Sequence, residues 1–232
     1  MADVVSTDPS DCAAAYREIR ARVIELVRAT DPAALDELAP ATPEWRVRDI
    51  LAHVSGVNTD IVNGNLNGVA SDEWTDAQVA TRREWPVDDI LAEWETNGTV
   101  VEENVAMLGS AAGQWVYDAC THEHDIRHAL GAVGARDSSA VAIAFEWGTN
   151  MLSRGLDGRS AAGLVLATKR GSKAVGSSEP RTTVHVDEFE LIRAMTGRRS
   201  VAQMESYDWD GAPRPAQLVL AIFTPRAADF VE

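Results

Sequence analysis

Gln114-Trp-Val-Tyr-Asp118-Ala-Cys-Thr-His122-Glu-His-Asp125-Ile-Arg-His-Ala-Leu130 sets the fold of this chain. Trp115, Val116, Ala119, Ile126 and Leu130 recur at the spacing of an amphipathic helix. Asp118 and His122 are four residues apart, so their side chains lie on neighbouring turns of one face and can chelate one ion. His122 falls inside the edge of the apolar stripe, with Asp118 and Asp125 just beside it. A buried carboxylate next to a buried imidazole is costly unless something compensates it, and a cation does so directly.

A second helix supplies a partner. In Trp45-Arg-Val-Arg-Asp-Ile-Leu-Ala-His53-Val the stripe is Val47, Ile50, Leu51 and Val54, continued by Val57 and Ile61, and His53 sits on its border next to Val57. One histidine from one helix and Asp-x-x-x-His from another is how bundle cores assemble metal sites. Three N/O ligands match a catalytic zinc site that leaves its fourth position to water or substrate. A lone histidine at a core edge is more often a hydrogen-bonded core residue; the three together favour a metal. His124 and His128 form a rival pair four apart, but they project away from the stripe and are expected to face solvent or a second domain. His185 lies in the second strand candidate, where no acidic partner is expected for it, and is expected to be structural. Asp125 is a candidate to orient the His122 imidazole or to bind substrate, against a plain ion pair with Arg127 or Arg48.

Periodic apolar residues predict a first helix over 11–28, a second from about Trp45 to Leu66, a third over 87–108 and the fourth over 114–130, closed by Gly131. A loop with a short helix near 76–83 joins the second and third. Four long helices predict a bundle over residues 1–138. The remainder, 139–232, has a different texture: a helix over 140–156, short strands at 163–168 and 181–186 around a Gly/Ser/Lys turn region, and a helix over 187–196 stopped at Gly197. The expected fold is therefore mainly α, a four-helix bundle followed by a smaller α+β domain.

Composition narrows the function classes. The chain has 232 residues, 45% of them hydrophobic, enough to build a core without staples. Its formal charge of −15 repels phosphate backbones, so no nucleic-acid partner is expected. With no basic region followed by an apolar run at the N-terminus and no uninterrupted apolar span, neither a targeting segment nor a membrane helix is expected, and the protein is expected in the cytoplasm. Cys12 and Cys120 lack CxxC spacing and are expected to be reduced and structural.

At Trp45-Arg-Val-Arg-Asp-Ile-Leu-Ala-His53-Val and Tyr117-Asp118-Ala-Cys-Thr-His122-Glu-His-Asp125-Ile-Arg-His-Ala-Leu-Gly131, the chain resembles the mycothiol-dependent maleylpyruvate isomerase family of the DinB-like metal-dependent superfamily. The family's Trp-x-Val-x-Asp-Leu-Leu-x-His pattern is matched at His53. Its Glu-x-x-x-His pair falls on Asp118 and His122, and the aspartate three residues later on Asp125. Asp187-Glu-Phe-Glu-Leu-Ile-Arg-Ala-Met-Thr-Gly-Arg-Arg199 is similar to the family's smaller C-terminal domain. Asp118 stands where the family has glutamate, one methylene longer; aspartate also ligates zinc, with the ion shifted or a water added.

The resemblance implies a DinB-like bundle with His53, Asp118 and His122 as ligands to Zn2+ or another divalent cation, and mycothiol as co-substrate. It implies a small-molecule electrophile as substrate, isomerised or taking the sulfur, and a monomer or homodimer. An anionic substrate needs a cation, for which Arg198, Arg199 and Arg226 are candidates, Arg198 and Asp125 being the residues assigned to catalysis. Two further readings are a non-catalytic ligand-binding member of the same family and a metal-dependent hydrolase.

Overall fold

The computed structural model describes residues 7–232, which divide into two compact units, one over Asp8–Gly134 and the other over Ala135–Glu232 together with Thr7. Among the described residues there are eight α-helices and one four-stranded sheet. The chain is mainly α, as its periodicity predicts.

The first unit is a bundle of α1 (Pro9–Arg28), α2 (Val47–Asn63), α4 (Val87–Glu103) and α5 (Ala112–Ala129), with the short α3 (Asp72–Arg82) laid on α2. Local chemistry sets the boundaries. The Asp8 carboxylate accepts from the Ser10 N–H with Pro9 in the first turn of α1, Ser71 caps α3, and Gly64 and Gly131 close α2 and α5 in the left-handed region. α4 is shorter than its apolar run predicts: it ends at Glu103, and a 3-10 segment over Val105–Ala111 leads into α5. The Asn104 side chain donates to the Val100 carbonyl at 2.8 Å and its backbone N–H to Val100 and Val101, so the asparagine satisfies the end of the helix before the apolar residues stop.

One buried residue from each long helix meets at the bundle's centre. Tyr16 of α1 stacks on Trp115 of α5, ring centroids 3.6 Å apart and planes 8° from parallel. The Tyr16 hydroxyl accepts from Asn58 Nδ2 of α2 at 2.6 Å and from Trp94 Nε1 of α4 at 2.9 Å, and Asn58 Oδ1 accepts from Trp115 Nε1 at 3.2 Å. Buried carboxylates stitch neighbouring helices: Glu102 accepts from Arg17 and Arg20, and Glu123 from Arg22 and Arg127. α5 is buried on almost every side.

The second unit carries α6 (Ser139–Gly158), β1 (Gly163–Thr168), β2 (Gly171–Val175), β3 (Pro180–His185), α7 (Glu188–Met195), α8 (Val201–Glu205) and β4 (Asp208–Asp210). The sheet order is β2-β1-β3-β4, with β1 and β3 parallel and the other pairs antiparallel. Two strands differ from the sequence reading. β2 lies in the Gly/Ser/Lys stretch read as a turn, because Gly-Ser-Lys-Ala-Val has no apolar alternation, and the three-residue β4 is too short to carry a pattern.

Candidate metal centre

Two helices bring three ligands to one point. His53 stands in the first half of α2, and Asp118 and His122 one turn apart on α5. Asp118 Oδ1 lies 3.4 Å from His53 Nε2 and 3.7 Å from His122 Nε2, and one ligand atom from each of the three residues falls within 4.8 Å of the others. The two imidazoles meet edge to face, centroids 4.9 Å apart. His53 and His122 are 4% and 8% exposed, whereas the Asp118 side chain retains 35%.

The donor set suits a divalent cation because both rings are already oriented from behind. His122 Nδ1 faces Asp125 Oδ2 at 3.1 Å, and Asp125 is fully buried. A carboxylate only accepts, so this nitrogen carries the hydrogen and Nε2 keeps its lone pair. His53 Nδ1 meets Gln78 Oε1 at 2.8 Å, which leaves its Nε2 in the same state. Burial, the largest influence, lowers the His122 pKa from the usual imidazole value, against the raising effect of the hydrogen bond to Asp125, and favours the neutral ring a metal requires. Trp45, two residues before α2, flanks both rings, its centroid 5.4 Å from that of His53 and 5.9 Å from that of His122.

Other expected residues fall out differently. The alternative of a plain ion pair for Asp125 gives way to its contact with the His122 ring, while Arg127 binds Glu123 and Arg48 binds Asp36. His124 is 4% exposed and so does not face solvent, because α5 has no solvent face along most of its length; His128 is half-buried. His185 does have an acidic partner: Nε2 lies 3.0 Å from Asp210 Oδ2 on β4, the strand the sequence does not reveal. Arg198 is buried and donates to the Thr196 carbonyl at 2.8 Å, Arg199 is paired with Glu190 and Glu232, and Arg226 lies over the Phe230 ring. Both cysteines are buried free thiols, and burial pushes Cys12 up to about 11. Gln78 and the flanking Trp45 were not singled out from sequence; Gln78 sits in a short helix amid Gly, Asn and Ser, with no motif around it. No described helix is long and apolar enough to cross a membrane.

Comparison with known proteins agrees with this architecture. The family described as mycothiol maleylpyruvate isomerase N-terminal domain matches residues 16–140, a span that contains His53, Asp118, His122 and Asp125. No curated protein matches the chain. Two crystal structures share the fold. One is a His-to-Ala variant of the mycothiol-dependent maleylpyruvate isomerase, with TM-score 0.59 and 14% identity, covering 82% of this chain and 89% of that one. The other is the mycothiol-dependent maleylpyruvate isomerase itself, with TM-score 0.55, 15% identity and the same coverage.

Proposed function

The chain belongs to the mycothiol maleylpyruvate isomerase family, and from that premise we propose that it is a zinc- or other divalent-metal-dependent enzyme that uses mycothiol on a small electrophile, as isomerase or S-transferase. The observation that carries the reading is the convergence of His53, Asp118 and His122, with both histidines held from behind by hydrogen-bond acceptors. A bound divalent cation would lower the pKa of a coordinating thiol so that a thiolate is available near neutral pH.

The protein's own part is positioning and shielding. His53 and His122 direct their Nε2 lone pairs to one point, and Asp125 keeps the hydrogen of His122 on the far nitrogen. Asp118 adds the single negative charge and, being partly exposed, marks the side from which reactants arrive. Trp45 packs against both imidazole rings. A thiolate adding to a cis-enedioate forms a C–S bond and moves the π pair onto the neighbouring carbonyl. Rotation about the new single bond and expulsion of the thiolate return the trans isomer with no net change in protons or electrons. With a leaving group on the electrophile, the same addition ends in sulfur transfer.

We further propose Arg198 for anion recognition, because a guanidinium can bind a carboxylate through two donors; its side chain also donates to the Thr196 carbonyl. An unchanged KM for an anionic substrate in Arg198→Ala would reject that assignment. A reduced thiol co-substrate and two free cysteines suit the cytoplasm.

Metal analysis of protein purified without an affinity tag, followed by turnover with and without mycothiol, tests the whole reading. One equivalent of metal with thiol-dependent loss of the electrophile is the expected result. Absence of metal, or hydrolysis independent of thiol, overturns it in favour of a binding protein or a hydrolase.

A further inference from the structure

Behind His53 lies a relay that reaches the end of α2. Gln78 Oε1 contacts His53 Nδ1, and the other end of the same amide, Nε2, donates to Asp60 Oδ2 at 2.6 Å. Asp60 receives a further bond on its other oxygen, from Asn65 Nδ2 at 2.9 Å. Gln78 is buried, and two features hold its helix in place. Gly56 of α2 leaves room for it: a Cβ there would stand 2.6 Å from Gln78 Cβ and 2.7 Å from Cγ. One turn further along α3, Arg82 donates to the Gln78 carbonyl at 3.1 Å and forms an ion pair with Glu93.

The polarity of this relay is not free to reverse. An amide can present oxygen or nitrogen to either neighbour, but a carboxylate can only accept. With Asp60 on one side, the Gln78 nitrogen must face it, so the oxygen must face His53. That oxygen in turn requires the hydrogen of His53 on Nδ1 and leaves the lone pair on Nε2, the atom aimed at Asp118 and His122. The two imidazoles are thus set differently, His122 directly by the carboxylate of Asp125 and His53 at one remove, by a carboxylate acting through an amide.

We infer that Gln78, aligned by Asp60, is the positioning residue that fixes the ligand tautomer and ring orientation of His53. The inference rests on the metal-centre reading for its consequence, but the tautomer itself is a property of the metal-free protein and can be measured there.

The test uses the full chain and four variants: Gln78→Met, which keeps approximate size and removes the acceptor; Asp60→Asn, which is partly exposed and removes only the orientation lock; Gln78→Glu; and Asp60→Asn combined with Gln78→Glu. In the double variant an asparagine amide donates to one glutamate oxygen while the other accepts from His53, which restores the original polarity. Two readouts are taken, 15N chemical shifts of the His53 ring in metal-free protein above the ordinary imidazole range, and Co2+ and Zn2+ affinity by chelator competition. The wild-type ring is expected to carry its hydrogen on Nδ1 alone. Gln78→Met is expected to mix the tautomers and weaken metal binding about 10-fold or more. Asp60→Asn, by letting the amide point either way, is expected to cost about twofold. Gln78→Glu alone sets two carboxylates together and is expected to weaken binding, and the double variant to return to wild-type affinity.

Nδ1–H on His53 in every variant, or wild-type affinity in both Gln78→Met and Asp60→Asn, overturns the inference while leaving the metal centre standing. A wild-type protein that binds neither ion overturns the metal centre instead, and the ring shifts then decide the positioning role separately.

Discussion

Asn58 Oδ1 accepts the indole N–H of Trp115 at 3.2 Å, about one helical turn from the His53–Asp118 pair on the same two helices. Residue numbers rise along α2 as they fall along α5, so the two contacts lie in one antiparallel register. The Asn58–Trp115 bond is therefore part of what aligns the ligand-bearing turns.

Replacing Asn58 with leucine is expected to destabilise the protein by about 1–3 kcal/mol, because the Trp115 N–H loses its acceptor and the Tyr16 hydroxyl one of its donors inside the bundle. Urea denaturation measures it. A midpoint equal to wild type would show that the polar contacts at the centre contribute nothing beyond packing.

Asp125→Leu removes the acceptor that holds the His122 hydrogen on Nδ1. Metal affinity in chelator competition is expected to fall by about 10–100-fold, and by less in Asp125→Asn, whose amide oxygen still accepts. Equal affinity in the leucine variant would remove the orienting role.

Asp118 is the exposed member of the triad, so its replacement should cost metal and little else. Asp118→Ala is expected to lose stoichiometric metal binding while its metal-free thermal midpoint stays close to that of metal-free wild type, since the carboxylate is partly exposed and its two histidine contacts are long. Asp118→Glu, which adds the methylene seen in the family pattern, is expected to retain the ion. If alanine at 118 binds metal as wild type does, the centre lies elsewhere.

His185 offers a pH test in the second unit. Its hydrogen bond to Asp210 raises its pKa above the ordinary imidazole value, against an opposing desolvation effect. A raised value in the folded state means the pair's stabilisation is complete below about pH 6.5 and is lost as the pH rises through the elevated pKa. An NMR titration of the ring should therefore show a midpoint above the ordinary value in wild type, moving down in Asp210→Asn and in high salt. Coincident titration curves for the two proteins would refute the pairing.

The bundle and its triad were legible because both depend on a period. The apolar stripes of α2 and α5 fix which way His53, Asp118 and His122 point, and a four-residue spacing fixes their mutual reach. What escaped depends on contacts that no period encodes. Gln78 reaches His53 from a short helix in a loop-rich stretch, through a gap that exists only because residue 56 has no side chain. The single-stripe reading turned His124 toward solvent or a second domain, and the structure buries it. The acidic partner of His185 belongs to a neighbouring strand of three residues, a pairing set by the sheet and invisible along the chain.

The uneven exposure of the triad has a kinetic meaning. Two imidazoles are sealed and the carboxylate between them is open to water, so the Asp118 edge is the doorway both for an arriving thiol and for anything that competes for the ion. Chelators should strip the centre by attack at that edge, at a rate that climbs with their concentration, and a small molecule lodged there should slow metal loss as effectively as it slows turnover.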